Sequence, residues 1–178
     1  HICTSDSSGM MVTLNHTAAN HFGAKVVCER TGLLLDCAMG WFNAHPNAAN
    51  SIASAKRPLA NMGPMLVTKN AKPLLALGAP GGRRIISAIS QLVLNTVERN
   101  MRIDDALHAP RIDGSGGTLI ASERLRDTLS KSHQAVRYVS EQHQGYGYEL
   151  ARPSGIQIVD DSAYAAIDPF STGFAAGV

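Results

Sequence analysis

With 178 residues the chain falls within the roughly 100 to 200 residues of a single domain, and 44% hydrophobic against 17% charged residues is a composition that folds and does not stay disordered. Sixteen basic and 14 acidic residues leave a formal charge of +2, far from the basic stripe of a dedicated nucleic-acid binder. No apolar run approaches the roughly 20 residues that span a bilayer, so the expectation is one domain over 1–178 with neither a nucleic-acid nor a membrane partner.

In chain order, Ile2 to Asn15 reads as two short strands joined at Ser7-Ser8-Gly9, where small polar residues and Gly supply the turn. Ile2 to Asp6 has neither the basic leader nor the apolar stretch of a signal peptide, and a chain opening at His1 and not at Met reads either as a cut piece or as one whose start is missing from this sequence. Val26-Val27 and Gly32 to Leu35 look like buried segments, and Ala44 to Lys56 like a loop. Pro64 to Lys69 and Pro73 to Leu77 flank Asn70-Ala71 as a second hairpin. Ile85, Ile89 and Leu92, with Ile86, Val93 and Val97 beside them, repeat at helical spacing and predict a helix from Gly81-Gly82 to about Asn100. A short helix at Asp104 to Leu107 is stopped by Pro110, a helix over Ser122 to Ser130 is capped by Ser122, and a third is expected over Gln134 to Gln144. Ile156 to Val159 and Tyr164 to Ile167 close the chain as a hairpin about Asp160-Asp161. Strands, helices, then strands again imply a mixed sheet layered with helices.

The sharpest chemical feature is Gly78-Ala79-Pro80-Gly81-Gly82, set between a strand and a helix. There, unpaired N–H groups and the helix dipole favour an anion or a developing oxyanion. It matches neither the P-loop nor the dinucleotide fingerprint, and on spacing alone a plain strand-to-helix turn is favoured. Seven His residues, including His16 and His21, lack the partners of a metal motif, so no metal and no cofactor are expected. Cys3, Cys28 and Cys37 read as buried thiols and not as a disulfide framework. Trp41-Phe42 reads as core or pocket wall.

His1-Ile2-Cys3 with its turn at Gly9, Phe22-Gly23, Thr31 to Leu35, Lys56-Arg57-Pro58-Leu59 and Gly78 to Ile85 occur in this order, followed by Ala109-Pro110-Arg111, Asp168-Pro169 and Ala175-Ala176-Gly177. In this combination the chain resembles, nearly end to end, the small subunit of the γ-glutamyltranspeptidase (glutathione hydrolase) family of N-terminal-nucleophile hydrolases. The resemblance implies an α+β fold, a four-layer αββα Ntn-hydrolase sandwich completed by a large subunit that this chain does not contain.

It also implies roles. Family precursors cut themselves before a Thr that becomes the terminal nucleophile and is followed by Thr and His; this chain opens at that His, which puts the nucleophile two positions before His1. The freed amine can act as its general base. None of Cys3, Thr4 and Ser5 is terminal, so none takes that part. Thr17 matches the Thr whose hydroxyl supports the nucleophile, Gly81 and Gly82 match the oxyanion-hole pair, and Arg57 matches a structural arginine. The donor pocket departs from the pattern: Ala19, Ala38 and Trp41 stand where the family holds the substrate ammonium with polar residues. Ala60 and Asn61 stand where consecutive serines hold its carboxylate, and only Asn61 can still donate. The expected function is an amide hydrolase or acyltransferase of this family with an altered, more apolar donor pocket, acting on a small-molecule amide together with a large subunit from the same precursor. The alternatives are a cephalosporin-acylase-like or other amidase on a non-γ-glutamyl group, and a pseudoenzyme retained for binding.

Overall fold

Strands β1 (Ile2–Ser5) and β2 (Met11–Leu14) pair antiparallel, from Ile2 opposite Leu14 to Ser5 opposite Met11. Their turn falls where the sequence puts it. The Asp6 carboxylate accepts the Ser8 hydroxyl (2.7 Å), the Ser8 N–H (2.9 Å) and the Met10 N–H (3.0 Å), and these bonds, the Ser8 hydroxyl foremost, lower its pKa. The computed structural model describes residues 1–131, 135–142 and 149–177. They fall into two compact units, one taking up His1–Asn15 and the chain from Met62 onward, the other His16–Asn61.

In the first unit β3 (Met65–Lys69) and β4 (Lys72–Gly78) meet at Asn70-Ala71, both at positive φ (52° and 61°), the twist that suits a two-residue hairpin. A register shift between Val67 and Thr68 sets Thr68 opposite Pro73, so the residue without an N–H is absorbed at an irregularity. The closing hairpin also forms, as β8 (Ser154–Val159) and β9 (Ser162–Ile167), and the antiparallel sheet runs β3-β4-β8-β9.

Helix α1 (Arg84–Val93) runs on through a wider π-turn at Leu94–Glu98, close to the predicted end. Its residues Ile85, Ala88, Ile89 and Leu92 form the core with Leu75 and Leu77 of β4 and with Ile103, Ala106 and Leu107 of α2 (Ile103–His108). Buried Gln157 of β8 caps α2, its Oε1 accepting the Ile103 N–H at 2.8 Å. Leu92 is fully buried here, so Leu92→Ala is expected to lower the unfolding free energy by about 2–5 kcal/mol, read as a shifted urea midpoint.

Some expectations are corrected. Within Gln134 to Gln144 the described residues form a strand, β7 (Val136–Val139), and not a helix; Gln134, His143 and Gln144 lie outside the described residues. β7 lies parallel to β6 (Leu119–Ser122), itself antiparallel to β5 (Ile112–Asp113), which makes a three-stranded sheet. Ser122 does cap, accepting the Arg124 N–H at 3.3 Å, but only a 3₁₀ turn at Glu123–Leu125. Val26, Val27 and Leu33 to Leu35 are 44 to 65% exposed and not buried, because a single bridge between Val27 and Leu34 builds no second layer to cover them. The three cysteines are free thiols, half-buried.

One polar cluster lies inside the first unit. Arg111, 2% exposed, pairs with the fully buried Asp168 and donates to the Leu107 carbonyl (2.8 Å) and the Ala151 carbonyl (3.3 Å). Arg152 shares Asp168 at 3.3 Å and donates to the Glu141 carbonyl at 2.9 Å, while the Glu141 carboxylate takes Arg124 (2.6 Å) and the Ser122 hydroxyl (2.6 Å). The charges alternate from Arg124 to Arg111, so no arginine in the row lacks a carboxylate beside it. Removing Asp168 would leave Arg111 and Arg152 buried without a carboxylate, at a cost of about 3–5 kcal/mol.

Candidate active site

The chain start is laid along the end of β4. His1 Nδ1 lies 2.6 Å from Asn15 Oδ1, and its Nε2 lies 3.0 Å from the Cys3 sulfur. The Cys3 sulfur is 3.6 Å from the Thr13 hydroxyl, and that hydroxyl donates to the Leu77 carbonyl (3.0 Å). Burial pushes the Cys3 thiol pKa up, more than the Thr13 bond pulls it down, so Cys3 stays a neutral thiol. Beneath the imidazole lies Gly78: a Cβ there would overlap the His1 ring.

Three residues beyond Gly78 comes Gly81, no more than about 11 Å away along the chain. Gly81 is buried at φ 146°, a conformation that L side chains rarely adopt, and a Cβ on it would lie 2.6 Å from Cα and Cβ of Ala151. Gly82 follows at φ 62°. Their carbonyls accept the N–H groups of Arg84 (3.3 Å) and Ile85 (3.2 Å), while among the described residues neither glycine's own N–H has an acceptor. The first turn of α1 holds no acidic residue and opens on Arg83-Arg84, so the turn presents free donors in a positive field. Such a turn can take the negative oxygen of a tetrahedral intermediate. The N–H of Arg152 holds the turn from behind, donating to the Pro80 carbonyl at 3.0 Å.

The family model described as Gamma-glutamyltranspeptidase matches residues 1–178, the whole chain. The chain belongs to the gamma-glutamyltranspeptidase family. It is 34% identical to the glutathione hydrolase proenzyme of Escherichia coli (strain K12) over 184 residues, covering 96% of this chain and 31% of that protein. It is 32% identical to the acylase ACY 1 proenzyme of Pseudomonas sp. (strain V22) over 142 residues, covering 77% of this chain and 25% of that one. The chain therefore spans between a quarter and a third of the length of these relatives. The gamma-glutamyltranspeptidase from Pseudomonas nitroreducens, solved in complex with L-DON, superposes with a TM-score of 0.81 at 25% identity, covering 100% of this chain and 98% of that one. The fold is thus the α+β Ntn-hydrolase fold of this family.

The second unit carries the other positions expected to line the site. Thr17 is exposed, and its hydroxyl accepts the Ala19 N–H at 3.0 Å, which helps hold Ala19 at φ 68°. The Cys37 N–H donates to the Ala18 carbonyl (3.1 Å), so the segment holding Ala19 lies beside the one holding Ala38. Ala38 and Trp41 share one 3₁₀ turn. Asn50 then clamps two segments of the unit, donating to the Trp41 carbonyl (2.8 Å) and accepting the Leu59 N–H (2.9 Å), which brings Trp41 beside Leu59-Ala60-Asn61. Ala19, Ala38, Trp41, Ala60 and Asn61, scattered over 43 positions, are thus gathered in one unit by backbone clamps. Asn50 and Ala151-Arg152 escape sequence reasoning, since nothing in their spacing marks them; only a structure shows which carbonyls they hold. Among the described residues no group of three or more His, Cys, Asp or Glu could hold a metal ion, and no helix is long and apolar enough to cross a membrane.

Proposed function

We propose that this chain is the catalytic small subunit of a self-processed heterodimer that cleaves amides through an acyl-enzyme on a Thr two residues before His1. The observation that carries the reading is the Gly81-Gly82 turn, with its two free amides, reached from the Gly78 seat of the His1 ring. In this scheme the terminal amine takes the Thr hydroxyl proton, the oxygen adds to the substrate carbonyl, and the Gly81 and Gly82 N–H groups take the oxyanion. Collapse expels the amine with that proton and leaves an ester, which water or a second amine resolves. The apolar outer face of the first hairpin, with Ile2, Val12 and Leu14 50 to 60% exposed, supports a large-subunit partner from the same precursor.

Acyl specificity is the part on which the family relatives differ, glutathione hydrolases on one side and an acylase on the other. Ala19, Ala38, Trp41 and Ala60 offer no carboxylate or hydroxyl to a zwitterionic donor head, which favours an uncharged or singly charged acyl group. An unpaired charge in a closed pocket costs on the order of 3–5 kcal/mol, so a glutaryl or aliphatic anilide is expected to exceed a γ-glutamyl anilide by at least about a hundredfold in kcat/KM. A preference for the γ-glutamyl anilide would make the protein an ordinary γ-glutamyltranspeptidase.

A further inference from the structure

An oxyanion hole works only if its donors are held to about 0.5 Å, and α1 offers this turn only the Arg84 and Ile85 N–H groups, its N-cap Arg83 adding no side-chain bond. What touches the turn is the irregular segment before β8. Ala151 fills the space beneath Gly81, and the Arg152 N–H holds the Pro80 carbonyl at 3.0 Å. That segment is itself fixed at three successive points. The Ala151 carbonyl takes Arg111 (3.3 Å), the Arg152 guanidinium takes Asp168 (3.3 Å) and the Glu141 carbonyl (2.9 Å), and the Pro153 carbonyl takes the Asp168 N–H (2.8 Å). The guanidinium is 7% exposed and lies 5.6 Å over the Phe170 ring, so no substrate reaches it.

We infer that Arg152 is a positioning residue: with its side chain locked into the Asp168 cluster, its own amide sets where Pro80, and hence the Gly81 and Gly82 N–H groups, stand. The inference rests on the oxyanion-hole reading above, and it assigns the buried cluster to the geometry of that turn and not to stability alone. Arg152 is the one member whose main chain bonds the turn while its side chain bonds the cluster.

The test compares Arg152→Met and Arg152→Lys with wild type in the processed heterodimer made from the full precursor. Two quantities are read: kcat and KM on the best anilide, and amide hydrogen exchange of the 79–84 peptide by mass spectrometry. For R152M, kcat is expected to fall at least about tenfold with KM within about threefold, since a misplacement of 1 Å in a positioned group is felt in the transition state. Exchange at 79–84 is expected to quicken while β3 and β8 stay protected, and R152K, which keeps a charge for Asp168, is expected to recover much of both. Wild-type exchange at 79–84, a loss carried by KM, or faster exchange throughout the core would each overturn the inference. If R152M yields no processed heterodimer, Arg152→Gln, which keeps a donor for the Glu141 carbonyl, takes the same two readings. The exchange reading needs no turnover, so a wild-type protein inactive on every amide would defeat the proposed function while the assignment of Arg152 stood or fell on exchange.

Discussion

Replacing the Thr two positions before His1 by Ala is expected to leave a precursor that remains in one piece and hydrolyses no amide. One hydroxyl is asked to perform both reactions, first on the peptide bond before it and then on the substrate, and the amine that serves as base exists only after the first. No neighbour can stand in. The Cys3 thiol is held neutral by burial and faces His1 Nε2 at 3.0 Å, and neither Thr4 nor Ser5 can present a terminal amine beside its hydroxyl. Mass spectrometry of the purified variant, beside an anilide assay, decides the matter: an intact precursor with undiminished activity would remove the nucleophile from the scheme.

Gly81→Ala is expected to cost about 10²- to 10³-fold in kcat, the usual loss for one oxyanion donor. The added methyl meets Cα and Cβ of Ala151 at 2.6 Å, a contact with backbone that no side-chain rotation relieves, and φ of 146° is closed to alanine in any case. The turn must shift, and the Gly81 N–H shifts with it. Gly82→Ala is the useful contrast. At φ 62° an alanine is strained by only about 1–2 kcal/mol, so G82A should keep more activity than G81A. Steady-state kinetics on the two variants, with unfolding midpoints to show that both are folded, separates a displaced donor from a general loss of structure. Equal rates for G81A and wild type would take the oxyanion out of this turn.

The hairpins were readable because their turns carry local chemistry: Asp6 and Gly9 in the first, Asn70-Ala71 in the second, Asp160-Asp161 in the last. The glycine turn was readable for the same reason, lying between a periodic strand and a periodic helix. What escaped was set by partners far along the chain. β5 is two residues long and β7 pairs in parallel with β6, so neither announces itself by a tight turn. A helix is the expectation around Val136 to Val139, but β7 buries Val139 and half-buries Val136 and Tyr138, leaving only Arg137 exposed, so no clean two-residue period marks it as a strand. Arg111, Arg152 and Asp168 look like surface charge in a sequence. Their meaning lies in a pairing across 57 residues that no spacing rule reports. The proposed pocket positions rest on resemblance alone, since alanines at Ala19, Ala38 and Ala60 carry no chemistry of their own.

The Arg111–Asp168 pair also orders events in time. Synthesis delivers the Gly81-Gly82 turn long before Ala151, Arg152 and Asp168, and at about 5–20 residues per second the gap is on the order of ten seconds. Through that interval the growing chain has the turn but not the segment that clamps it. If the proposed self-cleavage needs this turn held in place, a precursor stalled before Asp168 is expected to stay uncut.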